Sequence, residues 1–525
     1  MPFLSVHNLS FALPDGRVLF ENLDLSFGSE RTGLVGRNGV GKSSLIAILA
    51  GELGPSRGTV HRAGHVALLR QIVDVDHGAT IADVFGISDA IALIDRVTAG
   101  EADIDEIATA DWTLEARLEK ALDAVGLAGV APSRLLASLS GGQRTRAALA
   151  ALSLGDPDMI LLDEPTNNLD REGRAFLGRF LDNWKGGAVV VSHDRQLLNR
   201  MDRIVELSAL GIRIYGSGFD AYAAQRDAER ENAQKALDTA ERHAKQAQRA
   251  AQEARERQAK RDATGRKARA NSSDPKILLD ARQQRAEATA SRTTRLSARL
   301  ETDAQDKLQQ SRNAVERVTP FSAGMVSRAV PAGKRLIEAR ELAIGFAGAP
   351  PLALVDLDVV GPERIAVEGP NGSGKSTLLQ TLAGDLKPLG GSLRVEARLA
   401  YFDQQVSLLD ADASILENYQ RINPGATVFE CRSALARYVF RADAALQTVG
   451  TLSGGERLRA GLACVAAGDT PPELLILDEP TNHLDIDSIR EVETGLGDFE
   501  GAILVVSHDE AFLDAIGVER RIVMG

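Results

Sequence analysis

The sequence predicts a duplicated α/β protein whose two copies are joined by a long α-helical hairpin. Three observations lead there. Four short motifs occur twice in the same order, each where an apolar run ends or an amphipathic run begins. The spacing from Glu164 to His193 in one copy equals that from Glu479 to His508 in the other, 29 residues. Between the copies the composition turns basic and alanine-rich, with a heptad period.

The repeats come first. "GLVGRNGVGKSS" (33–44) recurs as "AVEGPNGSGKST" (366–377), and "SLSGGQR" (138–144) as "TLSGGER" (451–457). "ILLDEPTNNLD" (160–170) recurs as "LILDEPTNHLD" (475–485), and "VVVSHD" (189–194) as "LVVSHD" (504–509). The chain of 525 residues therefore divides into a first copy over 1–220, a linker over 221–334 and a second copy over 335–525.

Each copy carries a phosphate-binding pattern. Gly36 to Ser43 and Gly369 to Ser376 fit G-x-x-x-x-G-K-[ST], with an apolar run before and an amphipathic run after. That is the strand–loop–helix setting the pattern requires. Glycines let backbone N–H groups turn inward, and the helix start adds its partial positive charge. The candidate nucleotide-binding residues are Gly36, Asn38, Gly39, Gly41, Lys42, Ser43 and Ser44. Their counterparts are Gly369, Asn371, Gly372, Gly374, Lys375, Ser376 and Thr377. Lys42 and Lys375 are expected at the β- and γ-phosphates, and the Ser43 and Ser376 hydroxyls on Mg²⁺.

The runs "MILLDEP" and "LLILDEP" read as strands ending in two carboxylates. Asp163 and Asp478 suit the Mg²⁺ shell, through water. Glu164 and Glu479 stand where a general base could polarise an attacking water. His193 and His508 follow apolar strands and could hydrogen-bond a γ-phosphate. Ser-Gly-Gly before a helix, at Ser140, Gly141, Gly142, Gln143 and at Ser453, Gly454, Gly455, Glu456, makes a second anion-binding helix start. A second cradle makes sense if it serves nucleotide held by the other copy.

The linker is a module of its own. From Arg226 to Arg317 there are 22 Lys+Arg and 15 Asp+Glu, in a chain of formal net charge −12. Alanines and one leucine at 233, 237, 240, 244, 247, 251 and 254 alternate in steps of four and three, a seam of small residues that admits a second helix. "ATG" (263–265) and "NSSDP" (271–275) interrupt the pattern, so Gly265 to Asp274 are expected near the turn of an antiparallel hairpin. Some forty helical residues would reach roughly 60 Å. The positive excess concentrates at that turn.

Composition excludes several classes. Cys431 and Cys464 form no CxxC pair and no disulfide framework, which points to a reducing cytosol. Eight histidines form no HExxH pattern, so no zinc site is expected. No apolar run approaches the ~18 residues of a membrane span. Ala188–Val191 and Ile503–Val506 have the length of buried strands. "MPFLSVHNLSF" lacks the features of a signal peptide.

In these motifs the chain resembles the ATP-binding cassette (ABC) superfamily over both copies. The resemblance implies two ATPs sandwiched between head-to-tail cassettes, in one chain acting as a monomer. Lys42 and Glu164 would share a site with Ser453 and Gly455, and Lys375 and Glu479 with Ser140 and Gly142. It also implies adenine-stacking roles for Phe11 and Phe346, Q-loop roles near Mg²⁺ for Gln71 and Gln404, and D-loop roles for Asp170 and Asp485. Twin cassettes on one chain, no membrane segment, a charged hairpin and "DEPTNHLD" together resemble the ABC-F family, whose members bind the ribosome and regulate translation. In that family the linker reaches from the E site toward P-site tRNA. Basic residues at the tip would attract RNA phosphate, and Arg266, Lys267, Arg269 and Lys276 are the candidates.

Gln71 to Ser140 spans 69 residues against 49 from Gln404 to Ser453. The excess falls in an acidic helical stretch around 87–125, which resembles a short version of the family's arm toward the L1 stalk of the ribosome. Its acidity favours a protein contact there. Asn168 stands where the second copy has His483, so the two sites are not equivalent in sequence. The chain ends at "RIVMG", without the C-terminal coiled coil of the Uup-like branch, which counts against a DNA-linked role. Alternatives are the energising subunit of a transporter with a separate membrane partner, a DNA-associated ATPase, or an interaction module with vestigial cassettes.

Overall fold

In the computed structural model the described residues are 3–69, 78–139, 141–167, 169–270, 296, 298–312, 329–468 and 470–525. Two compact units result: Met1–Phe219 with Thr319–Gly525, and Asp220–Val318.

The first unit contains both cassettes, each with a parallel sheet and a small antiparallel one. In the first cassette the main sheet runs in the order Val66–Leu69, Met159–Asp163, Gly187–Val191, Arg31–Val35, Arg203–Ser208, all parallel, with Gly211–Tyr215 added antiparallel at the edge. In the second the order is Leu399–Phe402, Leu474–Asp478, Ala502–Val506, Arg364–Glu368, Arg520–Val523. The central strands Gly187–Val191 and Ala502–Val506 are buried throughout, as their unbroken apolar sequence requires. Parallel strands deliver their carboxyl ends to one edge, where open α/β sheets bind ligands. Val35, Asp163 and Val191 end on that edge in one cassette, and Glu368, Asp478 and Val506 in the other.

Helices cover the sheets. Leu45, Ile46, Ile48 and Leu49 of Lys42–Ala50 sit in the core of the first cassette, and Leu378, Leu379 and Leu382 of Lys375–Ala383 in that of the second. The stretch around 87–125 forms helices Ser88–Thr98, Ile104–Thr109 and Leu114–Ala124. Leu114, Leu118 and Leu122, one turn apart, pack with Ile94, Leu136, Ala147 and Ala150. Ile104, Ile107 and Trp112 remain exposed.

In the second unit, helix Phe219–Ala270 runs unbroken for 52 residues, roughly 80 Å at 1.5 Å per residue. All seven seam positions from 233 to 254 are shielded while every other residue of that stretch is exposed, and Ala240 and Ala251 are buried. The shielded residues Glu301, Ala304, Leu308 and Ser311 repeat the three–four step on the returning helical stretch 298–312. Arg255 bonds Glu301 at 3.0 Å and Arg312 bonds Glu241 at 3.4 Å, which fixes the two stretches as antiparallel. One expectation is corrected: the helix does not stop at "ATG" but continues through Gly265 to Ala270. A single interior glycine costs only about 1 kcal/mol, which flanking alanine, lysine and arginine can absorb. Arg266, Lys267 and Arg269 therefore lie on this helix, and Lys276 lies outside the described residues.

Ala251→Glu puts a carboxylate into the seam and is expected to destabilise the stem by about 1–3 kcal/mol. Amide hydrogen exchange across 241–260 in the full chain reads this. Unchanged protection there would show that the seam is not packed.

Candidate active sites at the cassette interface

The glycine-rich loops come first. Gly36 and Gly369 have φ of 153° and 152°, and a Cβ there would lie 2.2 Å from the Leu207 carbonyl oxygen and 2.4 Å from that of Met524. Only glycine fits. Each loop turns directly into its helix, with Gly41 and Gly374 as N-caps and no side chain closing the cap. The first amides of each helix are thus left for an anion. Lys42 Nζ donates to the carbonyls of Gly36 and Arg37 at 2.8 and 3.2 Å. Lys375 Nζ donates to those of Gly369 and Pro370 at 2.8 and 3.0 Å. Burial lowers the pKa of both ammonium groups, against the pull of Glu164, Asp485 and Asp163 on Lys42 and of Glu479, Asp170 and Asp478 on Lys375.

At the strand ends, burial raises the pKa of Asp163 and Asp478, and hydrogen bonds from Ser43 and Ser376 oppose the rise. In each aspartate, Oδ1 is buried without a hydrogen-bond partner. A buried, orphaned carboxylate oxygen beside a serine hydroxyl is the donor set expected of a nucleotide-borne cation, where the protein supplies few ligands. Among the described residues no cluster of three His, Cys, Asp or Glu side chains could hold a metal by itself.

Glu164 and Glu479 follow at φ of 47° and 48°. His193 Nε2 lies 3.1 Å from Glu164 Oε1, and His508 Nε2 3.4 Å from Glu479 Oε1. These contacts are not ion pairs. Burial pushes His193 down to about 3 and His508 to about 4, so both rings are neutral at pH 7. Burial pushes Glu164 up to about 8 against the pull of Lys42, and Glu479 up to about 7 against the pull of Arg174. Both His193 nitrogens and Glu479 Oε2 are buried without hydrogen bonds.

Each site is completed by the other cassette. Asp485 Oδ1 accepts from Ser488 N at 2.8 Å, capping its own helix, while Oδ2 accepts from Asn38 N at 2.9 Å. Asp170 does the same, to Gly173 N at 2.9 Å and across to Asn371 N at 3.2 Å. The Asn38 side chain donates to the His483 carbonyl at 2.8 Å. A Cβ on Gly454, at the start of helix Gly454–Ala466, would lie 3.3 Å from that same carbonyl oxygen, and one on Gly455 2.5 Å from Ser488 Oγ. Ser453 caps the helix Gly454–Ala466 in a capping box with Glu456, whose carboxylate accepts from Ser453 N and Oγ at 3.0 and 2.7 Å. Glu456 therefore shapes the loop, and its charge would repel phosphate.

One cavity is lined by Glu164, His193, His483 and Ile489 among others, and a second by Arg174, Asn371, Gln404, Glu479, Asn482 and His508. Phe11 is half-buried against Phe20, centroids 6.1 Å apart, whereas Phe346 is 55% exposed. Gln71, Ser140 and Asn168 lie outside the described residues, and Gly141, Gly142 and Gln143 form the first turn of helix Gly141–Leu154. Sequence reasoning missed Arg174, and with it two ion pairs between the cassettes: Arg195 to Glu493 at 2.8 Å and Arg171 to Glu510 at 3.4 Å.

Comparison with known proteins agrees with this geometry. The family described as ABC transporter matches residues 20–167 and 352–482. The tylosin resistance ATP-binding protein TlrC of Streptomyces fradiae is 32% identical over 545 residues, covering 96% of this chain and 94% of that protein. The ATP-binding protein Uup of Escherichia coli is 31% identical, covering 98% and 79%. The ABC transporter F family member 5 of Arabidopsis thaliana is 28% identical, covering 93% and 70%. Among solved structures, one titled RNase-L Inhibitor aligns with a TM-score of 0.53 at 20% identity, covering 99% of this chain and 87% of that one, a likeness of fold. Among the described residues no helix is long and apolar enough to cross a membrane.

Gly36→Ala and Gly369→Ala each force a Cβ into a carbonyl oxygen and are expected to weaken nucleotide binding about tenfold or more at the altered site. Titration with a fluorescent ATP analogue checks this. Unchanged affinity in both variants would mean that the loops do not cradle phosphate.

Proposed function

This chain belongs to the ABC-F family of the ATP-binding cassette superfamily and is an ATPase, and from that premise we propose that it binds the ribosome and acts on translation through ATP-dependent closure of its cassettes. The observation that carries the ATP-dependent closure is the pair of carboxylates that cross the interface, Asp485 to Asn38 N and Asp170 to Asn371 N, while the ribosome as target rests on the family. They support two composite sites, each built from both cassettes.

In the proposed mechanism Lys42, the loop amides and the helix start take the phosphates of one ATP, with Ser453 and Gly455 facing it from the second cassette. Lys375 takes the other, with Ser140 and Gly142 facing it. Mg²⁺, when bound, neutralises charge on the β- and γ-phosphates, and Ser43 with Asp163, or Ser376 with Asp478, would hold it. Glu164 and Glu479 orient the attacking water and take its proton as its oxygen bonds the γ-phosphorus and the bond to ADP breaks. Carboxyl groups raised to about 8 and about 7 lie where a general base is both ionisable and basic enough. Neutral His193 and His508 are poor bases but can each donate one N–H to a γ-phosphate oxygen. Phe11 and Phe346 would stack on adenine, and Gln71 and Gln404 would approach Mg²⁺.

The hairpin is the proposed reader of the target. Its basic tip, with Arg266, Lys267, Arg269 and Lys276, would meet rRNA or P-site tRNA, and the acidic arm around 87–125 a stalk protein. The family resemblance supports a cytoplasmic, ribosome-associated monomer. The name of the Streptomyces fradiae relative supports a second, narrower reading, protection of the ribosome from a drug such as tylosin.

The double variant Glu164→Gln/Glu479→Gln is expected to bind ATP, to lose about 100-fold or more in kcat, and to co-sediment with ribosomes. Failure to co-sediment with ATP present would overturn the ribosome reading. Charge reversal at Arg266, Lys267 and Arg269 together is expected to weaken ribosome binding and flatten its salt dependence, with ATPase turnover kept. Collapse of turnover with ribosome binding intact would show that the hairpin serves the ATPase core and not the target.

A further inference from the structure

Aligned at their D-loop aspartates, the two cassettes differ at the fourth residue beyond. Arg174 stands there in the first and Ile489 in the second. Both positions fall one turn into helices that Asp170 and Asp485 cap, Arg171–Asn183 and Ile486–Gly497. Arg174 is anchored at two points: Nε donates to the Leu169 carbonyl at 3.2 Å and Nη1 to Asp194 Oδ2 at 2.9 Å. The pair is well shielded, with 17% of the arginine side chain exposed and 8% of the aspartate's. A guanidinium fixed in this way offers its charge without an ordering cost when the site closes.

That charge is directed across the interface. Arg174, from the first cassette, lines the cavity of Asn371, Gln404, Glu479 and His508, all from the second. Among the charges acting on the Glu479 carboxyl it is foremost, ahead of Asp478 and Lys375, and it acts on His508 as well. The Glu164 site differs. Arg174 also borders that cavity, but Asp194, the carboxylate that binds it, acts on Glu164 with the opposite sign. The structural counterpart, Ile489, is buried and lines that cavity with an apolar side chain.

We propose that Arg174 is a positioning residue of the Glu479 site, supplied across the interface by the first cassette, and that its lack of a counterpart at the Glu164 site makes the two sites hydrolyse ATP unequally, the Glu479 site faster. A fixed cation beside the carboxylate holds it toward the water it must orient. It also adds positive charge to a cavity in which the γ-phosphoryl oxygens gain negative charge on the way to the transition state. Arg174 acts through Glu479 and His508, and the inference rests on the reading of Glu479 as the base.

The test uses the full chain in two backgrounds. Glu164→Gln leaves the Glu479 site competent, and Glu479→Gln leaves the Glu164 site. In the first background Arg174→Ile is expected to lower kcat about tenfold or more, with KM for ATP changed less than about threefold, because the support acts in the transition state. Arg174→Lys, which keeps the charge without the fork, is expected to recover part of the loss. In the second background Arg174→Ile should change kcat less than about threefold. Should the isoleucine variant not fold, Arg174→Gln removes the charge while keeping hydrogen-bonding capacity and takes its place. An equal fall in both backgrounds, an effect confined to KM, or an unchanged kcat in the Glu164→Gln background overturns the proposal. The double Glu→Gln variant separates this outcome from failure of the base reading: if it turns over like the unmodified chain, the base assignment falls whatever Arg174 does.

Discussion

The structure depends on a division of labour within two side chains. Asp170 and Asp485 each use one oxygen to cap the helix they begin and the other to accept the amide of an asparagine in the opposite glycine-rich loop. The cap fixes the carboxylate to its own cassette, so the second oxygen has one place to go. Charge-assisted bonds of this kind contribute about 1.5–3 kcal/mol each, against about 0–1 for an exposed ion pair such as that of Arg171 with Glu510. The crossing aspartates therefore set the register of the pair, and the arginine–glutamate contacts add selectivity around them. Because Asn38 also holds the His483 carbonyl, and a Cβ on Gly454 would lie 3.3 Å from that oxygen, the same contact places the start of helix Gly454–Ala466 near the facing loop.

Around that crossing, the charges suit a polyanion. Lys42 and Lys375 fold back on loop carbonyls, which are weak substitutes for phosphate oxygens. Asp163 and Asp478 keep one oxygen each without a partner. Burial disfavours every one of these charges, so the lysine and the acids support one another across short distances. Such an arrangement is costly alone and becomes favourable when a phosphate chain with its cation enters, because each group then gains the partner that burial denied it. Preorganisation of this kind moves the desolvation cost from the moment of reaction to folding.

Much of this was legible because its physics is local. A glycine-rich loop before an amphipathic run must turn into a helix start, and an apolar run ending in Asp-Glu must be a buried strand that stops at the sheet edge. The linker seam was legible for the same reason: a four–three repeat of small residues fixes which stripe of a helix is shielded, and the stripe at 233–254 is. What escaped is non-local or a matter of balance. Gly265 looked like a breaker, yet one residue's propensity does not outweigh a long run of helix formers. Arg174 escaped because nothing around it forms a motif. Its meaning comes from residues some three hundred positions away, and the only trace in the chain is that its counterpart is an isoleucine. Likewise Arg195 and Glu510 follow the same Ser-His-Asp triplet with opposite charges, a difference that acquires sense only once Glu493 and Arg171 face them.

The two glutamates show how function is built against local preference. Glu164 and Glu479 both adopt left-handed backbone, which costs an ordinary residue about 1–2 kcal/mol. Glycine would relieve that strain, and neither copy has it. The constraint comes from the neighbouring strands: the glutamate amides donate to the carbonyls of Val191 and Val506, both at 2.9 Å, so the backbone must stay in the ladder for one bond beyond Asp163 and Asp478. Two residues past each of those carbonyls stand His193 and His508. A residue tied to that carbonyl, yet required to face the histidine and the phosphate edge together, has little backbone freedom left. The same strain at the same place in both copies, with a side chain that burial penalises further, is what a chain retains when the carboxyl itself is needed there.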